Sequence, residues 1–353
     1  MPRPIQALID LSALEHNLRA ARRATNSRIM AVLKASAYGH GLLRTARALQ
    51  EADGLALLDV NEAVVLRESG FRQTLLLLEG IFAPEELSLA AEYDLACVIH
   101  DPRQIDMLDA YPRRGTFQVW LKINSGMNRL GFSPQHIPAV LEKLQAHPAV
   151  RDVTLMTHFA NADETIGVAA QLEVFNTLAA SYRLARSLAN SAALLRYPET
   201  HAEWVRPGIM LYGASPFPEI SAQQLGLKPV MTLQSEIISM RELKAGEHVG
   251  YGGIYCAESA MRIGTVACGY ADGYPRHAPT GTPVLVAGRR TRTLGRVSMD
   301  MLSVDLSTLA DVEVGSLVTL WGTGLPVEEI ARSAGTVSYE LLCALAPRVQ
   351  VTF

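Results

Sequence analysis

Along the first two thirds of the chain, short apolar runs alternate with longer stretches rich in Ala, Leu and Glu, which predicts strands alternating with helices. The strand-like runs are 29–33, 55–60, 75–78, 96–99, 117–123, 153–159, a run around Leu188, and 205–212. The runs 29–33, 75–78 and 96–99 are continuously apolar, as expected of strands buried on both faces of a parallel sheet. Helices are predicted at 42–52, 62–69, 84–93, 135–145 and 166–187. Ahead of these, 5–9 reads as a first strand, and Ser12 with Glu15 forms a capping box opening a helix with Leu14 and Leu18 on one face. Eight strand–helix units over ~200 residues predict a TIM barrel, although the pattern alone leaves an open doubly wound sheet available.

Beyond Lys228 the period changes. The runs 231–239, 261–267, 283–286, 302–304 and 316–320 alternate apolar and polar residues between Gly and Pro, and only 327–333 and 338–345 look helical. The expected organisation is an α/β barrel domain over 1–227, whose first strand is free to join the second unit, and a mostly β domain over 228–353.

Composition narrows the function classes. The chain has 353 residues, 49% hydrophobic and 19% charged, with a formal net charge of -3. It lacks the basic excess that nucleic acid demands. None of the four cysteines, Cys97, Cys256, Cys268 and Cys343, makes a CxxC pair, which removes the usual zinc and dithiol signatures. The opening MPRPIQALIDL has no apolar signal region, and no stretch nears the ~18 consecutive apolar residues of a membrane span. A cytoplasmic protein without nucleic-acid or membrane partners is expected.

Reactive groups of a barrel belong at strand C-termini and in the loops that follow. Lys34 sits there after the first barrel strand, followed by Tyr38 and His40. A lysine half removed from water suits Schiff-base chemistry, although most strand-end lysines simply reach out to solvent. His158 ends the sixth strand, Asn190-Ser191 follows the seventh with small residues able to bring N–H groups to a phosphate, and Arg206-Pro207-Gly208-Ile209 enters the eighth. Each also has an ordinary structural explanation as a buried hydrogen-bonding group or a turn.

Together, the stretches AVLKASAYGHG, THFANADE, NSAA, RPGIMLYG, VGYGG, GYADGYPR and GRVSMDM resemble, in order, the motifs of the alanine racemases. The similarity runs from IDLSALEHN at Ile9 to YELLC at Tyr339. It implies that Lys34 holds pyridoxal 5'-phosphate (PLP), that Tyr38, Ser191, Gly208 and Ile209 hold the phosphate with Asn190 beside them, and that Arg206 faces the pyridine nitrogen. An arginine there cannot accept the proton that a carboxylate would share, so the cofactor is a weaker electron sink, which suits racemisation better than transamination.

Racemisation takes a proton from one face of Cα and returns it to the other, and two acid/base groups on opposite sides are the simplest arrangement. The resemblance assigns them to Lys34 and Tyr251, with His158 and Arg206 supporting the tyrosine. It assigns the substrate carboxylate to Arg129, and it makes Lys122 the position carbamylated in many relatives. Asn124-Ser125 stands where many relatives have Asp-Thr. Relatives also carry a late tyrosine that the tail APRVQVTF lacks.

The family builds its site from two chains, so Tyr251, Tyr270, Met299 and Asp300 would come from the partner of a homodimer. The implied activity is interconversion of L- and D-alanine, for cell-wall synthesis or alanine catabolism. A broader amino-acid racemase and a non-catalytic PLP-carrier barrel are the alternatives. Crowding by Tyr270 and Met299 argues against the first, and the second domain argues against the other.

Overall fold

The computed structural model describes residues 3–111 and 117–353. Eight parallel strands, Arg28–Val32, Gly54–Leu57, Thr74–Leu77, Leu95–Ile99, Phe117–Lys122, Val150–Met156, Ala185–Ser187 and Trp204–Val205, close into a barrel, with the last paired to the first. Gly54–Leu57 and Leu95–Ile99 are buried at every position, the result of a packed interior on one side and helices on the other.

Helix starts follow local capping. Asp59, Asp101 and Asn190 each accept a backbone N–H at the start of Val60–Glu68, Pro102–Asp109 and Ser191–Arg196. The first helix, Leu11–Ala24, is capped by Asp10, whose side chain accepts from Ala13 N–H at 3.1 Å. Ser12, expected to be the cap, instead donates its hydroxyl to Asp10. Serine and aspartate cap equally well, and Asp10 is the one that immediately precedes the first helical residue.

Tertiary pairing redrew three further elements. The predicted helix 166–187 ends early as Ala169–Ala179, and Ala185–Ser187 joins the parallel ladder beside Thr154 and Met156. The predicted strand 205–212 is only Trp204–Val205, followed by a 3-10 turn at Ile209–Tyr212. Pro207 has no N–H to continue the ladder, so Arg206 leaves the eighth strand rather than entering it. The run 55–60 stops at Leu57, where Asp59 starts a helix.

The second unit is an eight-stranded sheet in the order Met261–Val266, Leu302–Asp305, Arg289–Leu294, Pro283–Val286, Leu317–Trp321, Met231–Leu243, Gln6–Ile9, Gln350–Thr352. Met261–Val266 also pairs with Met231–Leu243, bringing the sheet round on itself. The N-terminal strand Gln6–Ile9 thus pairs antiparallel with Met231–Leu243. Arg289–Leu294 escaped the sequence pattern because RRTRTL is mostly polar. One contiguous apolar core runs through both units. At their junction buried Asn17 satisfies its amide on Leu211 O, Lys228 O and Lys228 N–H. No helix among the described residues is long and apolar enough to cross a membrane.

Candidate active site

Lys34, Tyr38, Lys122, Arg129, His158, Asn190, Ser191, Arg206, Gly208 and Ile209 line one cavity of about 440 Å³ at the C-terminal end of the barrel. That volume takes a cofactor together with a small substrate.

Immediately after the first strand the backbone turns the wrong way. Ala35, Ser36, Ala37 and Tyr38 all have φ between 50° and 55°, one turn of left-handed helix made without glycine. Such residues cost roughly 1–2 kcal/mol each relative to right-handed ones, so the surroundings must impose the turn. Gly41 N–H closes it on Ser36 O at 2.9 Å. His40 Nδ1 binds Tyr38 O at 2.8 Å, and Gly39 packs so closely under Leu342 O that a Cβ there would come within 2.3 Å of it. The Tyr38 ring stacks on Tyr212 at 4.4 Å, and Tyr212 donates its hydroxyl to Val32 O at 2.8 Å. The turn thereby carries the buried Tyr38 hydroxyl to Gly208, where an added Cβ would sit 2.5 Å from it.

Opposite Tyr38, Ser191 begins a helix capped by Asn190 and accepts Gly208 N–H at 2.8 Å, leaving its own hydroxyl proton to donate. Tyr38, Ser191 and the backbone at Gly208-Ile209 form a small cradle, open only because residue 208 lacks a side chain. Hydroxyls and backbone N–H groups gathered in this way suit a phosphate.

Cations dominate the remaining wall. Arg206 is 4% exposed and is clamped by Ser187 Oγ at 2.5 Å and by the carbonyls of Thr157 and Leu188 at 2.6 and 3.1 Å. Burial pulls its pKa down to about 10, which leaves it charged at neutral pH. Burial, then repulsion from Arg206 and Arg129, brings Lys122 down to about 8. His158 is held well below its ordinary value, first by burial and then by Arg206, Lys122, Arg129 and Lys34, so it is neutral. Of the two groups expected to support a tyrosinate, only Arg206 therefore carries charge.

Arg129 rides on a loop ordered by Asn124, whose side-chain oxygen accepts Gly126 and Asn128 N–H. Ser125 Oγ meets Thr157 Oγ1 at 2.6 Å, tying that loop to the residue whose carbonyl holds Arg206. Asn124-Ser125 thus supplies the contacts that order this loop.

Glu79, Phe82, His100 and Tyr339 also line the cavity and were missed. The strand-end rule would have found Glu79 and His100, which directly follow the third and fourth strand runs. Tyr339 comes from Ser338–Cys343, at the far end of the chain, and no local pattern announces it. Tyr251, Tyr270, Met299 and Asp300 do not line the cavity. Tyr251 is 72% and Met299 53% exposed on the second unit.

The model of the alanine racemase N-terminal domain matches residues 9–216, and that of the C-terminal domain matches 230–353. The chain belongs to the alanine racemase family. It is 63% identical to an alanine racemase of Nitrosospira multiformis, with 99% of each chain covered. Among solved alanine racemases, the biosynthetic one from Pseudomonas aeruginosa superposes with a TM-score of 0.97 at 49% identity, covering 99% of both chains. That from Acinetobacter baumannii gives 0.93 at 39%, again over 99% of each. Because both family domains are matched, a carrier resembling the barrel alone is disfavoured.

Proposed function

We propose that this chain is a PLP-dependent alanine racemase that works as a homodimer with shared sites. The observation that carries the reading is the convergence of Lys34, Lys122, Arg129, His158 and Arg206 on one barrel mouth beside a cradle for phosphate. When bound, PLP supplies the electron sink that makes the alanine Cα proton removable. Tyr38, Ser191, Gly208 and Ile209 would hold its phosphate, with Asn190 fixing the helix that presents Ser191. Arg206, immobilised by three oxygens, would donate at the pyridine nitrogen without taking up its proton.

Lys34 would hold the cofactor and serve one face of Cα, and Tyr251 of the partner subunit would serve the other. Arg129 would take the substrate carboxylate through its fork of donors. An amine titrating near 8, as Lys122 does, keeps a neutral fraction at physiological pH, so it can take up carbon dioxide as a carbamate and pair with Arg129. Tyr270, Met299 and Asp300 of the partner subunit would close the side-chain pocket around a methyl group. The cytoplasm belongs to this reading, since four unpaired cysteines suit a reducing compartment.

The test is optical rotation of L-alanine incubated with purified protein, with and without PLP. Rotation should decay to zero only with cofactor, and Lys34→Ala should abolish both the decay and borohydride-fixable PLP. Cofactor fixed at any other lysine would reject the assignment.

A further inference from the structure

Tyr270 and Met299 lie on two loops held by a compact charge network. The Asp272 side chain is completely buried and accepts Arg3 at 2.6 Å, Arg348 Nε at 2.7 Å and Gly269 N–H at 2.9 Å. Arg348 Nη2 reaches on to Asp300 Oδ1 at 2.6 Å, and Arg3 also donates to Asp300 O. The loops are joined directly by Tyr270 N–H to Ser298 O at 3.0 Å and Ala271 N–H to Met299 O at 2.9 Å. Their approach is so close that a Cβ at Gly269 would fall 2.3 Å from Met299 O. Ala346 N–H donates to Asp272 O at 3.2 Å, so the chain's C-terminal segment braces the same loop.

We propose that Arg348, acting through Asp272 and Asp300, is a positioning residue that sets the Tyr270 and Met299 loops which each subunit lends to its partner's site. This rests on the shared-site reading above. A planar guanidinium bonded to two carboxylates fixes both loops in distance and orientation, which a single point charge cannot do. The network touches neither Lys34 nor the phosphate cradle, so its effect belongs to substrate fit and turnover, not to holding the cofactor.

Arg348→Gln is the direct test, because Asp272 keeps Arg3 and no buried charge is left alone. With PLP bound and its absorbance unchanged, kcat/KM for alanine should fall by about 10- to 100-fold, the scale of a small misplacement of positioning groups. The preference for alanine over 2-aminobutyrate should narrow, and Arg348→Lys should recover part of both. Mixed dimers locate the effect. Refolded with Lys34→Ala, the Arg348→Gln chain contributes an intact barrel that meets the intact loops of the other chain, so one site should regain wild-type kinetics and selectivity.

Wild-type kinetics in Arg348→Gln, loss of PLP, or a mixed site that keeps the Arg348→Gln defect would each overturn the proposal, the last by placing Arg348's action within its own chain. A parallel mixture of Lys34→Ala and Tyr251→Phe separates the two readings. Activity there upholds the shared site whatever Arg348 does, and its absence rejects the shared site and this role with it.

Discussion

His40 lies wholly buried under the Lys34 turn, 4.8 Å from the Tyr212 ring, and Nε2 has no partner among the described residues. Burial lowers its pKa from 6.5 to about 4, against the opposing pull of the Tyr38 and Ala37 carbonyls. The folded value is below the free one, so as pH falls the unfolded chain takes up the proton first. Stability from this residue is intact above about 6.5 and lost progressively down to 4, a difference on the order of 3 kcal/mol. His40→Gln can still donate to Tyr38 O but does not titrate. Its urea midpoint should therefore fall less than the wild type's between pH 6.5 and 4, and equal falls would show that His40 is not what acid attacks. At this scale the sequence was legible for Lys34 and His158, which stand at strand ends, whereas Arg206, expected to enter the eighth strand, follows it. It also offered Glu79 and His100 by the same rule.

Among the elements, the left-handed turn at Ala35 to Tyr38 is the one a propensity argument would never assign, because Ala and Ser favour right-handed backbone. Packing decides it: Leu342 O above Gly39, the Tyr38–Tyr212 stack, and the His40 bond together outweigh the local preference. Ser36 is exposed, so substitutions there report on backbone strain alone. Ser36→Gly should leave the thermal midpoint unchanged or raise it slightly, since relief of φ strain offsets the added freedom of the unfolded chain. Ser36→Val should lower both the midpoint and PLP affinity, because a β-branched residue resists positive φ most. A valine variant as stable as the wild type would mean the turn is not left-handed in solution. The predicted helix 166–187 failed for a related reason. Its composition is helical throughout, but Arg186 N–H is taken by the Glu203 carboxylate and its guanidinium by Ala179 O, committing the tail to the barrel wall.

Over the whole molecule, residues 338–348 face two ways. Tyr339 enters the chain's own cavity and Leu342 O presses on Gly39, while Ala346 and Arg348 hold the loop bearing Tyr270. Tyr251 is exposed on the second unit and does not line the Lys34 cavity, so two inactive variants, Lys34→Ala and Tyr251→Phe, should complement when refolded together. Random pairing would leave about a quarter of all composite sites fully equipped, and racemisation should return to near that fraction. No recovery despite proven subunit exchange would place both bases on one chain. The amino-acid order by itself determined the alternation of strands and helices, the change of period after Lys228, and the strand-end stations of Lys34 and His158, because periodicity and burial are written locally. Tertiary structure alone decided the handedness of the Lys34 turn, the pairing of Gln6–Ile9 with Met231–Leu243, and the entry of Tyr339. These are contacts between segments distant in the chain, and no local pattern records which distant surface will supply the missing hydrogen bond or fill the space.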